Sequence, residues 1–215
     1  MLAALTALLL LAAPAPAPPE LTSRPPRCPA AADLCFGLVV HVATDPDGRL
    51  AQDADWLAEQ VAAANDRFAP MGVGFEVDAA ELLGPEAWHV ADRAARDALG
   101  RAPHKNPGRV DVFITARLEN VDEPGEIRGV HWRDRRRRAD RWIILSAIAP
   151  RHVLAHELGH YFGLPHTLAL GSLMNTSGND PTPREERRFL PAEERRVAAR
   201  AKALAKRREL VPRPR

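Results

Sequence analysis

The stretch His156-Glu157-Leu158-Gly159-His160-Tyr161-Phe162-Gly163-Leu164-Pro165-His166 decides the reading of this chain. His156 and His160 are four residues apart, which on a helix puts both imidazoles on one face, within reach of a single ion. Glu157 lies roughly 100° round that helix, too far to join easily as a third ligand but well placed to approach a water on the metal as a general base. Gly163 permits the left-handed turn that ends the helix, Pro165 prevents its continuation, and the reversed chain returns His166 to the ion. Three neutral nitrogens with an open fourth position make a catalytic zinc (Zn2+) site. In a chain of this composition, the three histidines, glutamate and glycine coincide by chance with a probability on the order of 10⁻⁴ or less. A structural zinc usually has four protein ligands, and no cysteine or further histidine follows His166.

Working outward, Pro150 suits the first turn of this helix, and the helix is preceded by a hairpin of strands 127–132 and 142–146 with a charged tip at 133–141. Further upstream the texture alternates. Apolar, β-branched runs predict strands at 36–43, 73–77 and 110–116, and helical spacing predicts helices at 53–69 and 86–99. Beyond the motif lie an irregular loop to Pro183 and a charged helix at 191–210 with Val197, Ala201 and Leu204 as its apolar stripe.

The 215 residues suffice for one domain or two small lobes sharing a cleft. With 46% hydrophobic and 27% charged residues the chain can build a core, although 20 prolines predict irregular parts. Thirty basic against 28 acidic side chains give a net charge of +2, which disfavours a polybasic nucleic-acid binder. Two cysteines exclude both a disulfide-dense scaffold and a four-cysteine zinc site. The apolar run at 2–13, about half the length of a membrane span, reads as a signal-peptide core despite having no Lys or Arg before it. The division is thus a signal-peptide-like segment at 1–19, an irregular segment at 20–35 and a domain at 36–215. The product would be secreted or periplasmic and free of the membrane after signal removal.

With its internal glycine at Gly163, the motif from His156 to His166 resembles the extended zinc motif of the metzincin metallopeptidases. Ser172-Leu173-Met174-Asn175 resembles their methionine turn, at the short interval seen in matrixins. The resemblance implies an α+β fold: a mixed five-stranded sheet with a backing helix, an active-site helix, and a small C-terminal lobe with the methionine turn and a C-terminal helix. It divides the domain into an upper lobe at 36–163 and a lower lobe at 164–215. Thr176, two residues after Met174, departs from astacins and serralysins, which have a tyrosine ligand there; the single tyrosine is Tyr161, on the zinc helix. The segment 117–126 has no histidine for the second zinc of matrixins, and its Glu119, Asp122, Glu123 and Glu126 read as a solvated acidic loop rather than a calcium site. Pappalysin-like proteins are the neighbouring alternative, which Thr167 suits.

What the resemblance implies is a zinc-dependent endopeptidase that hydrolyses internal bonds of extended polypeptides through a zinc-bound water, with Glu157 as general base and acid. Gly163 and Met174 would support the site. Residues 127–132, with Gly129, Val130 and His131, would form the edge strand onto which substrate adds. His152, one turn before His156, would border the pocket past the scissile bond. A binding module that holds polypeptides on a metal without cleaving them is the rival, but the presence of Glu157 argues for chemistry. His41, His89, His104 and His131 lack ligand spacing, and Arg135 to Arg138 read as a solubilising hairpin tip. Two readings stand for Cys28 and Cys35: a local disulfide in an exported chain, or a latency thiol, since Pro26-Arg27-Cys28 resembles the start of the matrixin cysteine switch.

Overall fold

The computed structural model describes residues 15–16, 21, 26–101, 105–134 and 140–214. In chain order the elements are β1 (Ala15–Pro16), β2 (Leu34–Ala43), α1 (Ala54–Phe68), β3 (Val73–Leu83), β4 (His89–Val90), α2 (Arg93–Leu99), β5 (Val110–Thr115), β6 (Arg117–Leu118), β7 (Gly129–Arg133), β8 (Arg141–Ser146), α3 (Val153–Tyr161) and α4 (Pro191–Lys206). The main sheet runs in the order β1-β3-β2-β5-β8-β7. Its four inner strands are parallel, and β1 and β7 lie antiparallel at the two edges. Five strands form the body of this mixed sheet; the sixth is two residues long and falls in the segment assigned from the sequence to a signal peptide. The apolar run at 2–13, His104 and Arg135 to Arg138 lie outside the described residues.

Strand alternation builds two apolar layers. Phe36, Leu38, Val40 and Val42 of β2, Val112 and Ile114 of β5, and Ile143 and Leu145 of β8 face α1 and α3. Phe113, Trp142 and Ile144 point to the opposite face, where they meet Leu83, Leu99 and Leu118. Asp53 caps α1 by accepting from the Trp56 amide at 2.8 Å. The helix buries Leu57, Val61, Ala64 and Phe68, as its spacing predicts. Among the described residues no helix is long and apolar enough to cross a membrane.

Three expectations need correction. The helix expected at 86–99 is a short 3₁₀ turn at Pro85–Ala87, the strand β4 and then the seven-residue α2. Asp92 adopts an extended conformation and caps α2 through the Ala95 amide, while Val90 pairs with Leu118 of β6, so local capping and tertiary pairing override the helical spacing. The strand expected at 73–77 continues to Leu83, since pairing with β2 carries it through Asp78-Ala79-Ala80-Glu81, residues of poor strand propensity. The last helix stops at Lys206 rather than at Leu210. His41 is fully buried, its ring nitrogens 3.0 Å from Glu81 and 3.1 Å from Asp111.

Cys28 and Cys35 form a disulfide, which ties residues 28–35 to the start of β2. Closing so short a loop is worth about 2.5 kcal/mol in chain entropy. The same bond removes the latency reading, because the Cys28 sulfur is committed and lies in a pocket with Glu76 and Arg213 rather than with the histidines.

The backing helix does more than cover the sheet. Gln60, fully buried on α1, donates to the carbonyls of Ala149 (3.0 Å) and Pro150 (3.1 Å) and accepts from the Leu154 amide (3.1 Å). It thereby satisfies one of the free amides at the N-terminus of α3 and pins that helix. Gln60→Leu is expected to lower the unfolding free energy in urea by about 1–3 kcal/mol, because it leaves these buried groups unpaired. An unchanged urea midpoint would contradict this role.

Candidate metal centre

Helix α3 presents His156 and His160 one turn apart, and the chain then reverses. Gly163 takes φ 95°, a left-handed conformation that costs a glycine little, and the Leu164 amide donates back to the Gly159 carbonyl at 3.0 Å. Past the reversal, the Thr167 amide donates to the Met174 carbonyl at 3.2 Å, which holds the chain beside His166 against the loop carrying Met174. The structure brings His156, His160 and His166 together, with Nε2 to Nε2 separations of 3.1, 3.0 and 3.3 Å.

The tautomers follow from the partners. His156 Nδ1 lies 2.8 Å from the Leu173 carbonyl and His160 Nδ1 lies 2.7 Å from the Leu164 carbonyl. A carbonyl only accepts, so each Nδ1 carries the proton and each Nε2 turns a lone pair inward. Lone pairs facing one another at about 3 Å repel unless a cation lies among them. Zinc–nitrogen bonds of about 2.0–2.1 Å at tetrahedral angles put ligand nitrogens roughly 3.3–3.4 Å apart, so the observed triangle fits zinc to within a few tenths of an ångström. Burial pushes His156 down to about 3 and lowers His160 and His166, which keeps the neutral, ligating form. Among the described residues the other cluster of ligand-type side chains is Cys28, Cys35 and Glu76, whose sulfurs are already bonded to each other. Two of the acidic residues at 117–126 have basic partners, Glu119 with His89 and Arg117 and Asp122 with Arg93, and Glu126 accepts from the Ser146 hydroxyl.

Glu157 is 5% exposed and lines a cavity of about 430 Å³ together with His156, His166, His152 and Gly129. Burial pushes its carboxyl up to about 8, against the pull of the His131 main-chain N–H and the Arg96 guanidinium. A divalent cation beside it would favour the carboxylate again. Met174 is fully buried beneath α3, against Gly159, where a Cβ would stand 2.6 Å from Sδ. Tyr161 is buried on the helix under the Arg141 guanidinium, 4.4 Å from ring centroid to cation, and takes no part in the histidine group. Thr176 lines the cavity.

Of the residues expected to bind substrate, His152 and Gly129 line the cavity and Val130 and His131 do not. Val130 packs in the layer behind the sheet, and the His131 ring stands edge-on to Tyr161 at 5.7 Å. Several hydrogen bonds that support the site carried no sequence signal. Ser172 Oγ accepts from the Met174 amide and donates to Glu193, whose carboxylate also accepts from the Leu190 amide at the start of α4. Asp180 and Arg187, both buried, brace Asn175. Only the tertiary fold shows that these polar residues, from the turn, the loop after it and the start of α4, meet one another.

No protein-family model and no curated protein matches the sequence. Among solved structures, the crystal structure of archaemetzincin from Methanopyrus kandleri superposes with a TM-score of 0.53 at 18% identity, covering 78% of this chain and 96% of that one. The two chains share a fold.

Burial of His131 is expected to make the protein acid-sensitive. Burial, with Arg133 and His160 nearby, holds His131 down at about 3 against an ordinary value of 6.5, so between these limits the unfolded chain binds a proton that the native one refuses. Stability should therefore fall as pH drops below about 6.5, by up to about 1.4 kcal/mol per pH unit for each such group. Metal-free His131→Phe should lose less stability than the parent between about pH 7 and 5 in urea unfolding. Parallel losses would rule out His131 as a contributor.

Proposed function

We propose that this protein is a zinc-dependent endopeptidase of the metzincin type, acting on extended polypeptides. The observation that carries the reading is the triangle of inward-facing Nε2 atoms of His156, His160 and His166 beside the buried carboxyl of Glu157. The fold shared with archaemetzincin supports it. Zinc held by these three nitrogens would polarise a substrate carbonyl and bring the pKa of water down to about 7.

The chain's own residues supply the rest. Glu157 takes a proton from the attacking water and returns it to the leaving amide nitrogen, and the His131 N–H steadies its carboxylate. Strand β7 lies at the edge of the sheet, so an extended polypeptide can add to it through main-chain hydrogen bonds, next to the cavity at Gly129. Gly129 keeps that strand close to α3: a Cβ there would stand 2.7 Å from Val153 and 3.2 Å from Glu157. Met174 supports the histidines from below. The Cys28–Cys35 disulfide favours an oxidising compartment, consistent with export to the periplasm or beyond the cell.

Glu157→Gln should retain one zinc per chain by elemental analysis while cleavage of an unfolded protein substrate falls about 10²–10⁴-fold. Equal cleavage by the two proteins would sink the proposed role of Glu157. Intact substrate with both would favour a module that binds polypeptides without cutting them.

A further inference from the structure

We propose that the cleft beside the three histidines selects polypeptides with an acidic side chain immediately after the bond to be cleaved, held by the guanidinium groups of Arg128 and Arg184. The proposal rests on the endopeptidase reading. Three arginines, Arg128, Arg184 and Arg187, line the cavity. Arg187 is spent inside the protein, donating to the carbonyls of Asn175 and Thr182 and paired with Asp180. Arg128 and Arg184 are exposed, and among the described residues neither has a salt-bridge partner.

Neither acid lining the same cavity forms a salt bridge with them. Glu157 is buried beside the histidines, and Glu126 is engaged by the Ser146 hydroxyl. His152, 9% exposed, stands in the same cavity wall, close enough to both Arg128 and Arg184 to feel their charge. Two guanidinium forks suit a carboxylate, which accepts paired hydrogen bonds in their plane.

The position relative to the scissile bond follows from strand direction. Antiparallel pairing is the more stable ladder, and β7 runs from Gly129 towards Arg133. A substrate added antiparallel lays the part that follows the cut over Glu126, Ile127, Arg128 and Gly129, the residues that line the cavity.

The test combines binding with cleavage. Zinc-loaded Glu157→Gln is titrated with two labelled peptides of about ten residues that differ only in a central Glu or Gln. The Glu peptide should bind about five- to tenfold more tightly, less so in high salt, and the advantage should vanish in the Arg128→Gln/Arg184→Gln background. Equal binding of the two peptides, or an advantage that survives the double substitution, would overturn the proposal. New termini mapped after wild-type digestion of a mixed protein substrate should show Asp or Glu enriched at the first position after the cut. Cleavage without that enrichment overturns the acidic preference and leaves the endopeptidase reading standing. No cleavage at all overturns the endopeptidase reading, and the peptide contrast still decides whether the arginines recognise acid.

Discussion

Three imidazole Nε2 atoms within about 3.3 Å of one another constrain everything around them. With lone pairs turned inward on His156 and His160 the arrangement is repulsive without a cation, so the surrounding structure must hold these two rings from behind. It does so with main-chain carbonyls: Leu173 orients His156 and Leu164 orients His160. Both carbonyls belong to the chain after α3, so the histidines are not held together until that chain has reversed at Gly163 and folded back beneath α3. The histidine cluster therefore depends on residues 164–173 being in place.

The same dependence explains the buried polar residues below the helix. Met174 sits flush against Gly159, and side-chain hydrogen bonds reinforce the turn around it. Ser172, Glu193, Asn175, Asp180 and Arg187 supply them, joining the turn to the start of α4 and to the loop before it. On the other side of α3, Gln60 holds its first turn from the backing helix. Helix α3 is thus fixed at both ends by polar groups and along its length by Leu154 and Leu158 in the main apolar layer. Rigid support of this kind suits a site whose ligands must stay within a few tenths of an ångström of their working positions.

The cleft has two unlike walls. One is main chain, the edge strand β7 and the segment leading into it, which under the proposed function would hold an extended polypeptide. The other is made of side chains, His152 and Arg184 among them, where discrimination between substrates would then arise. On that reading, affinity without sequence demand and selectivity from a few side chains fall to different elements.

Much of the histidine cluster was legible in the sequence because its geometry is local. Helical periodicity puts His156 and His160 on one face, and Gly163 with Pro165 forces the reversal, so a single turn of helix and one tight turn determine which residues can meet. The central strands were legible for a similar reason, since β2 and β5 are largely apolar runs buried on both faces, interrupted by His41 and by Asp111 and Thr115. The tertiary structure alone decided what depended on distant partners. Asp78-Ala79-Ala80-Glu81 is strand only because β2 lies beside it, and residues 86–92 leave the helix because Asp92 caps α2 and Val90 pairs with Leu118. Gln60 and Arg187 look like ordinary helix and loop residues until 90-odd or a dozen positions of chain fold back onto them. Burial and hydrogen bonding across such separations are properties of the packed molecule, and no local pattern of residue types encodes them.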